Sequence, residues 1–153
     1  TNYGISNWLA EKRLTESSVD FTIIRTSAVM GRGGAFFDWL TTSMENDKSI
    51  ELFIDGFFSP TPIQFLNKNI LNIVKNRILG IYNICGEERL SRYELAKRIK
   101  SIKNKPNVAL VAISSHNNPF HFQKDLSMIQ SKICKELQDK NFESYMVEEL
   151  NYY

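Results

Sequence analysis

The 153-residue chain is 42% hydrophobic and 24% charged, the proportions of a globular domain with a substantial core. Its 19 basic and 17 acidic side chains are interspersed and leave a net charge of +2, too little to argue for nucleic acid. No run approaches the ~20 apolar residues of a membrane helix, so neither nucleic acid nor membrane is expected as a partner.

Residues 3–13 carry a helical pattern, with Ile5, Trp8, Leu9 and more loosely Lys12 along one side. Tyr3 and Asn7 stand one turn apart on a common face of that helix. A tyrosine with a helical partner at i+4 is the layout of a proton-donating site; an amphipathic helix burying the ring is the competing reading. A polar break at 15–20 precedes a short buried strand over 21–25, rich in β-branched residues. The glycine-rich loop 31–34 follows, without the GxGxxG spacing or lysine of a phosphate loop. A helix is predicted over 35–47 with Phe36, Phe37, Leu40 and Met44 as its core stripe, then a strand over 50–54.

The loop 55–62 is dense in turn formers, and its Phe57 and Phe58 need a partner surface. Three capping strings come next: Thr61 with Pro62 and Gln64, Ser91 with Glu94, and Ser127 with Gln130. Each predicts a helix, with Leu66, Ile70, Ile73 and Val74 behind the first, Leu95, Ile99 and Ile102 behind the second, and Ile133 and Leu137 behind the third. Strands are predicted over 80–86 and 108–113, and a closing helix over 141–151. Cys85 and Cys134 lie in apolar patterns outside metal-ligand spacing, as small buried thiols do; a reducing, cytoplasmic setting is expected. His116 and His121 have no carboxylate or thiol at metal spacing, so no metal is expected.

Strands alternating with long helices predict an α/β fold with a largely parallel sheet, and such a sheet takes its ligand at the carboxyl ends of its strands. The loops after Arg25 and Ile54 are the places to look.

Several strings resemble one family. Tyr3-Gly4-Ile5-Ser6-Asn7 with Ala10-Glu11 is similar to the YGxSKxxxE helix of extended short-chain dehydrogenases, and the string from Ile23 to Gly31 to their IxRTSxVYG strand and loop. Asp55-Gly56-Phe57-Phe58-Ser59-Pro60-Thr61 resembles the DQxGxPT loop of the dTDP-4-dehydrorhamnose reductase branch. The strings beginning at Gly80 and at Ser91 resemble its GIYHxxG and SxYExA stretches, and Asn118-Pro119 with Asp125-Leu126-Ser127 its RPxxxxLDxSK segment. That branch also holds the regulatory beta subunit of methionine adenosyltransferase, so the motifs do not by themselves imply an enzyme.

The resemblance implies the C-terminal part of a Rossmann-like doubly wound sheet with a small substrate-binding α/β subdomain. Residues 1–153 would form the C-terminal portion of one such domain, with the cofactor-binding half upstream; the threonine start running straight into a helix fits an internal piece. It implies NADP or NAD as cofactor, a nucleotide-linked 4-keto sugar as substrate, and a homodimer as the assembly to test. Tyr3 takes the catalytic position, and Asn7 occupies the place of the lysine that stabilises the phenolate and holds the nicotinamide ribose. Thr26 and Ser27 fall on the cofactor side, although as turn formers they need no such role. Ala28, standing where these reductases carry tryptophan, Asp55 and Thr61 fall on the substrate side. Asn118 stands where an arginine is expected, and Phe120, His121 and Phe122 are offered as a cover for the base. Asparagine can bond a ribose hydroxyl but carries no charge. Lys12 cannot replace the lysine, because nine residues of helix put it on the face opposite Tyr3.

Overall fold

A computed structural model describes residues 1–46, 49–117 and 123–151. The chain begins with α1 (Asn2–Thr15), β1 (Thr22–Arg25), β2 (Val29–Met30), α2 (Ala35–Asn46) and β3 (Ser49–Phe53). Then come β4 (Phe57–Phe58), β5 (Thr61–Pro62), α3 (Ile63–Lys75), β6 (Gly80–Asn83), β7 (Leu90–Ser91) and α4 (Arg92–Ile102). It closes with β8 (Ala109–Ile113), β9 (Asp125–Leu126), α5 (Lys132–Leu137) and α6 (Phe142–Leu150). Strands β1 and β6 pair in parallel, as do β2 with β5 and β3 with β8; β4 lies between antiparallel β7 and parallel β9. Pairing of strands distant in sequence, with helices as crossovers, is the predicted α/β organisation.

The core is centred on α4, which packs on the β3–β8 ribbon and against α2 and α6. Phe37, Leu40 and Met44 of α2, Leu95, Ala96 and Ile99 of α4, and Met146 of α6 are buried there. Helix α4 starts where its sequence says it should. The Ser91 hydroxyl accepts from the Glu94 amide at 3.1 Å and the Glu94 carboxylate accepts from the Ser91 amide at 2.7 Å, a complete capping box.

The other two capping strings fold differently. Thr61 is the first residue of β5, not an N-cap: its hydroxyl donates to the Ser59 carbonyl at 3.0 Å and accepts from the Gly86 amide at 3.2 Å. Helix α3 follows from Pro62 with no side-chain cap. No helix begins at Ser127, whose amide and hydroxyl both donate to Asp125 at 3.0 and 2.6 Å; α5 starts five residues later behind Ser131. In both places a tertiary or turn partner satisfied the hydroxyl before a helix could use it. Within α3 the buried stripe is Phe65, Asn69 and Ile73, while Val74 is exposed. The buried Asn69 donates to the Phe65 carbonyl at 2.9 Å, and a polar residue in the stripe is what hid the true face.

Phe58 of β4 enters the core and meets Phe36 edge-on at 6.4 Å. Phe57 lies under the Arg89 guanidinium, 3.4 Å from its ring centre. Cys85 and Cys134 are buried and free, each thiol donating to a backbone carbonyl at 3.5 Å; burial, with Cys85 beside it, pushes the Cys134 thiol up to about 11. These are inert packing thiols, as predicted.

Candidate active site

Helix α1 contributes nothing to the core: none of its residues is buried. Its N-terminus is capped by the Thr1 hydroxyl, which accepts from the Gly4 amide at 3.2 Å. An ion pair joins the helix to β1: the Arg25 guanidinium at the end of that strand grips both oxygens of Glu11, the Nε contact at 2.9 Å. The bidentate geometry lowers the Glu11 carboxyl below its ordinary range. An exposed pair of this kind stabilises the fold by only about 0–1 kcal/mol, and it links the helix to the end of the strand. The glutamate of the first motif thus holds the arginine of the second.

Tyr3 lies at the carboxyl end of β1. The residue is 81% exposed, so the reading in which α1 buries it does not hold within this chain. Tyr3 shares an open cleft of about 650 Å³ with Thr26, Ser27 and Ala28, the residues that follow β1. The opposite wall is Phe58 and the segment Asp125, Leu126, Ser127 and Met128. A smaller, partly open cavity of about 60 Å³ beside Phe65 and Tyr145 has room for no more than a few waters.

Two serines bind the walls together. Ser27 Oγ accepts from the Ser59 amide at 3.1 Å and donates to the Leu126 carbonyl at 3.5 Å. The buried Ser59 Oγ accepts from the Met128 amide at 3.1 Å. The Asp125–Met128 wall lies about a hundred residues from Ser27 and enters through β9, a two-residue strand with no periodicity of its own; its sequence signal is the faint resemblance of Asp125-Leu126-Ser127 to a family segment.

The cleft gathers Tyr3, Thr26, Ser27 and Ala28; the remaining positions stand apart. Asn7 lies one turn along α1, and its amide donates to the Tyr3 carbonyl at 3.0 Å. Lys12 is occupied elsewhere, 3.7 Å from Glu16 and 5.5 Å from the Trp8 ring centre. Asp55 accepts from the Ser114 hydroxyl at 2.7 Å and the Ser115 amide at 2.9 Å, tying the end of β3 to the end of β8. Those donors hold its carboxyl below the ordinary range. Thr61 is fully buried and does not line the cleft. In the glycine loop, the Arg32 amide donates to Glu149 at 2.7 Å and the Gly33 amide to Asp38 at 3.0 Å. Carboxylates therefore take the amides a phosphate would need. Among the described residues no acidic, histidine or cysteine cluster could hold a metal ion. No helix among them is long and apolar enough to cross a membrane. Asn118, Phe120, His121 and Phe122 lie outside the described residues.

Asp125 is the charged residue of the cleft. The Ser127 hydroxyl and amide, then Arg89 Nε at 2.9 Å, hold its carboxyl down to about 2 from the ordinary 3.8. A carboxylate with a lowered folded-state pKa contributes its full stabilisation above the unfolded value and loses it as pH falls through the folded one. Asp139, at about 2 beside Lys68 and Tyr145, acts with the same sign. Stability measured by denaturant titration is therefore expected to fall between about pH 4 and pH 2, with Asp125→Asn flattening that limb. A limb of unchanged slope in the variant would contradict the assignment.

The sequence matches the family model described as the RmlD substrate binding domain over residues 1–146. It is 32% identical over 100 residues to the spore coat polysaccharide biosynthesis protein SpsK of Bacillus subtilis, covering 65% of this chain and 35% of that protein. The fold superposes on dTDP-4-dehydrorhamnose reductase from Bacillus anthracis, solved with NADP, at a TM-score of 0.84 and 23% identity, covering 98% of this chain and 54% of that one. It also superposes on a hypothetical dTDP-4-dehydrorhamnose reductase from Sulfolobus tokodaii at a TM-score of 0.72 and 28% identity, covering 92% and 49%. The chain spans about a third of the curated relative and about half of these solved structures. With the tyrosine helix tied to the RTS strand by Glu11 and Arg25, and the family match running almost end to end, this chain belongs to the RmlD substrate binding domain family, in the extended short-chain dehydrogenase group with its Rossmann-like α/β fold.

Proposed function

We propose that this chain is the substrate-side half of an NAD(P)-dependent reductase of a nucleotide-linked 4-keto sugar, the cofactor-binding half lying upstream in the complete protein. The observation that carries the reading is the shared cleft of Tyr3 with Thr26, Ser27 and Ala28 at the carboxyl end of β1. The exposed Tyr3 phenol and Thr26 hydroxyl fit a cofactor arriving from that open side. A reduced nicotinamide held there beside Thr26 and Ser27 would supply hydride for the keto carbon. Tyr3 gives its phenolic proton to the keto oxygen, completing the alcohol, and is left as a phenolate to be reprotonated from solvent. Ser27 keeps the sugar-side wall in place through Leu126 and Ser59, and Ala28 leaves room where a larger side chain would narrow the cleft. Thr61 supports the substrate side from behind the wall, its amide donating to the Ala28 carbonyl at 2.9 Å, while Asp55 braces the ends of β3 and β8.

The complete protein is expected to oxidise NADH or NADPH in the presence of a nucleotide-linked 4-keto sugar, and Tyr3→Phe to lower that turnover about a hundredfold or more. Turnover unaffected by Tyr3→Phe would overturn the assignment. One observation favours a second reading, a non-catalytic subunit that keeps the fold for regulation: the Asn7 amide rests on the Tyr3 carbonyl, with no cation in the lysine's place. Tight cofactor binding with no oxidation under any substrate would establish it instead.

A further inference from the structure

The residues lining the cleft carry one charge among the described residues, that of Asp125. Its hydroxyl hydrogens are spent inside the protein: Thr26 donates to the Ser27 carbonyl at 3.2 Å, Ser27 to the Leu126 carbonyl and Ser127 to Asp125. What remains is apolar surface from Ala28, Phe58, Leu126 and Met128, a set of acceptor atoms, and the Tyr3 phenol. A diphosphate brings only acceptors and negative charge, so this surface offers it little to bond beyond the Tyr3 phenol, and the carboxylate, already paired with Arg89, adds no attraction. A sugar ring brings hydroxyl donors and apolar C–H faces, which match both.

Asp125 is also held in place before any ligand arrives. One oxygen accepts from the Ser127 amide and hydroxyl, and the other from Arg89, whose guanidinium is stacked on Phe57. A carboxylate has about four acceptor positions, which leaves the Arg89-bound oxygen with room for one more donor. We propose that Asp125 is the specificity-determining residue of the cleft: it accepts a hydroxyl of the substrate's sugar ring and keeps the diphosphate outside, so that the sugar end lies against Tyr3. The inference rests on the reading of the cleft as a nucleotide-sugar site.

Isothermal titration of the complete protein with a dTDP-linked 6-deoxy sugar and with dTDP alone tests both levels. Asp125→Asn keeps the side chain's shape and is expected to weaken the sugar nucleotide about tenfold or more, the worth of a hydrogen bond to a charged group, while dTDP binding stays within about twofold. Arg89→Gln removes the ion pair but leaves the carboxylate, and is expected to cost less than threefold. Equal losses for both ligands, no loss for either, or equal losses in the two variants would overturn the role of the carboxylate. If the unaltered protein bound neither ligand, the nucleotide-sugar reading itself would fall, a result distinguishable from the others.

Discussion

Asn7→Lys is expected to raise the rate of NAD(P)H-dependent reduction by the complete protein about a hundredfold, the usual worth of acid–base assistance. Proton donation by Tyr3 leaves a phenolate, and a cation one helical turn away favours that anion. Asn7 supplies none: its amide is neutral and donates to a backbone carbonyl rather than toward the phenol oxygen. Lys12 points to Glu16 and Trp8, so it does not take over. A lysine at position 7 would leave the same helix face as Tyr3 with enough reach to approach its ring. The helix should accept it, since Asn7 is exposed and lysine is a better helix former than asparagine. Stopped-flow nicotinamide absorbance isolates the hydride step, and a pH–rate profile whose acid–base limb moves toward lower pH would identify the cation as the cause. An unchanged rate, or brisk turnover before the substitution, would show that the site works without the charge.

The tyrosine helix was legible because everything it needs is local: the motif, the Thr1 cap and the i to i+4 face all lie within a few turns. The three capping strings show where locality ends. Ser91 caps its helix because its partner is Glu94, three residues on. Thr61 fails to cap because its hydroxyl meets Gly86, twenty-five residues away, and Ser127 because Asp125 is nearer than any helical amide. The cleft divides in the same way. Its near wall follows a strand whose motif could be read, while Asp125, Leu126 and Met128 arrive by a two-residue strand that pairs with β4 across the chain. Side-chain pattern carries no record of such a pairing, since two residues cannot express a period.

Gly86→Ala is expected to destabilise the protein by about 3 kcal/mol, lowering Tm by roughly 6–12 °C. Gly86 is buried at the end of the run that follows β6, and its amide is spent on Thr61. A β-carbon there would meet the Pro60 carbonyl oxygen at 1.9 Å and its carbon at 2.9 Å. Both are backbone atoms, so no rotamer change relieves the clash and the 59–61 segment between β4 and β5 must shift. That segment has no slack. The Thr61 amide donates to the Ala28 carbonyl at 2.9 Å, the Ser59 amide to Ser27, and Ser59 Oγ accepts from Met128. Displacing Pro60 therefore moves both walls of the cleft, and the same variant should lose sugar-nucleotide affinity even at temperatures where it stays folded. Gly33→Ala provides the contrast. Nothing lies within 4 Å of its added carbon, and only its φ of 83° opposes the substitution, for about 1–2 kcal/mol. Chemical denaturation of the two variants separates close packing from backbone strain: a loss at Gly86 no greater than that at Gly33 would show that the 59–61 segment can yield, and that the cleft is not rigidly tied to the core through it.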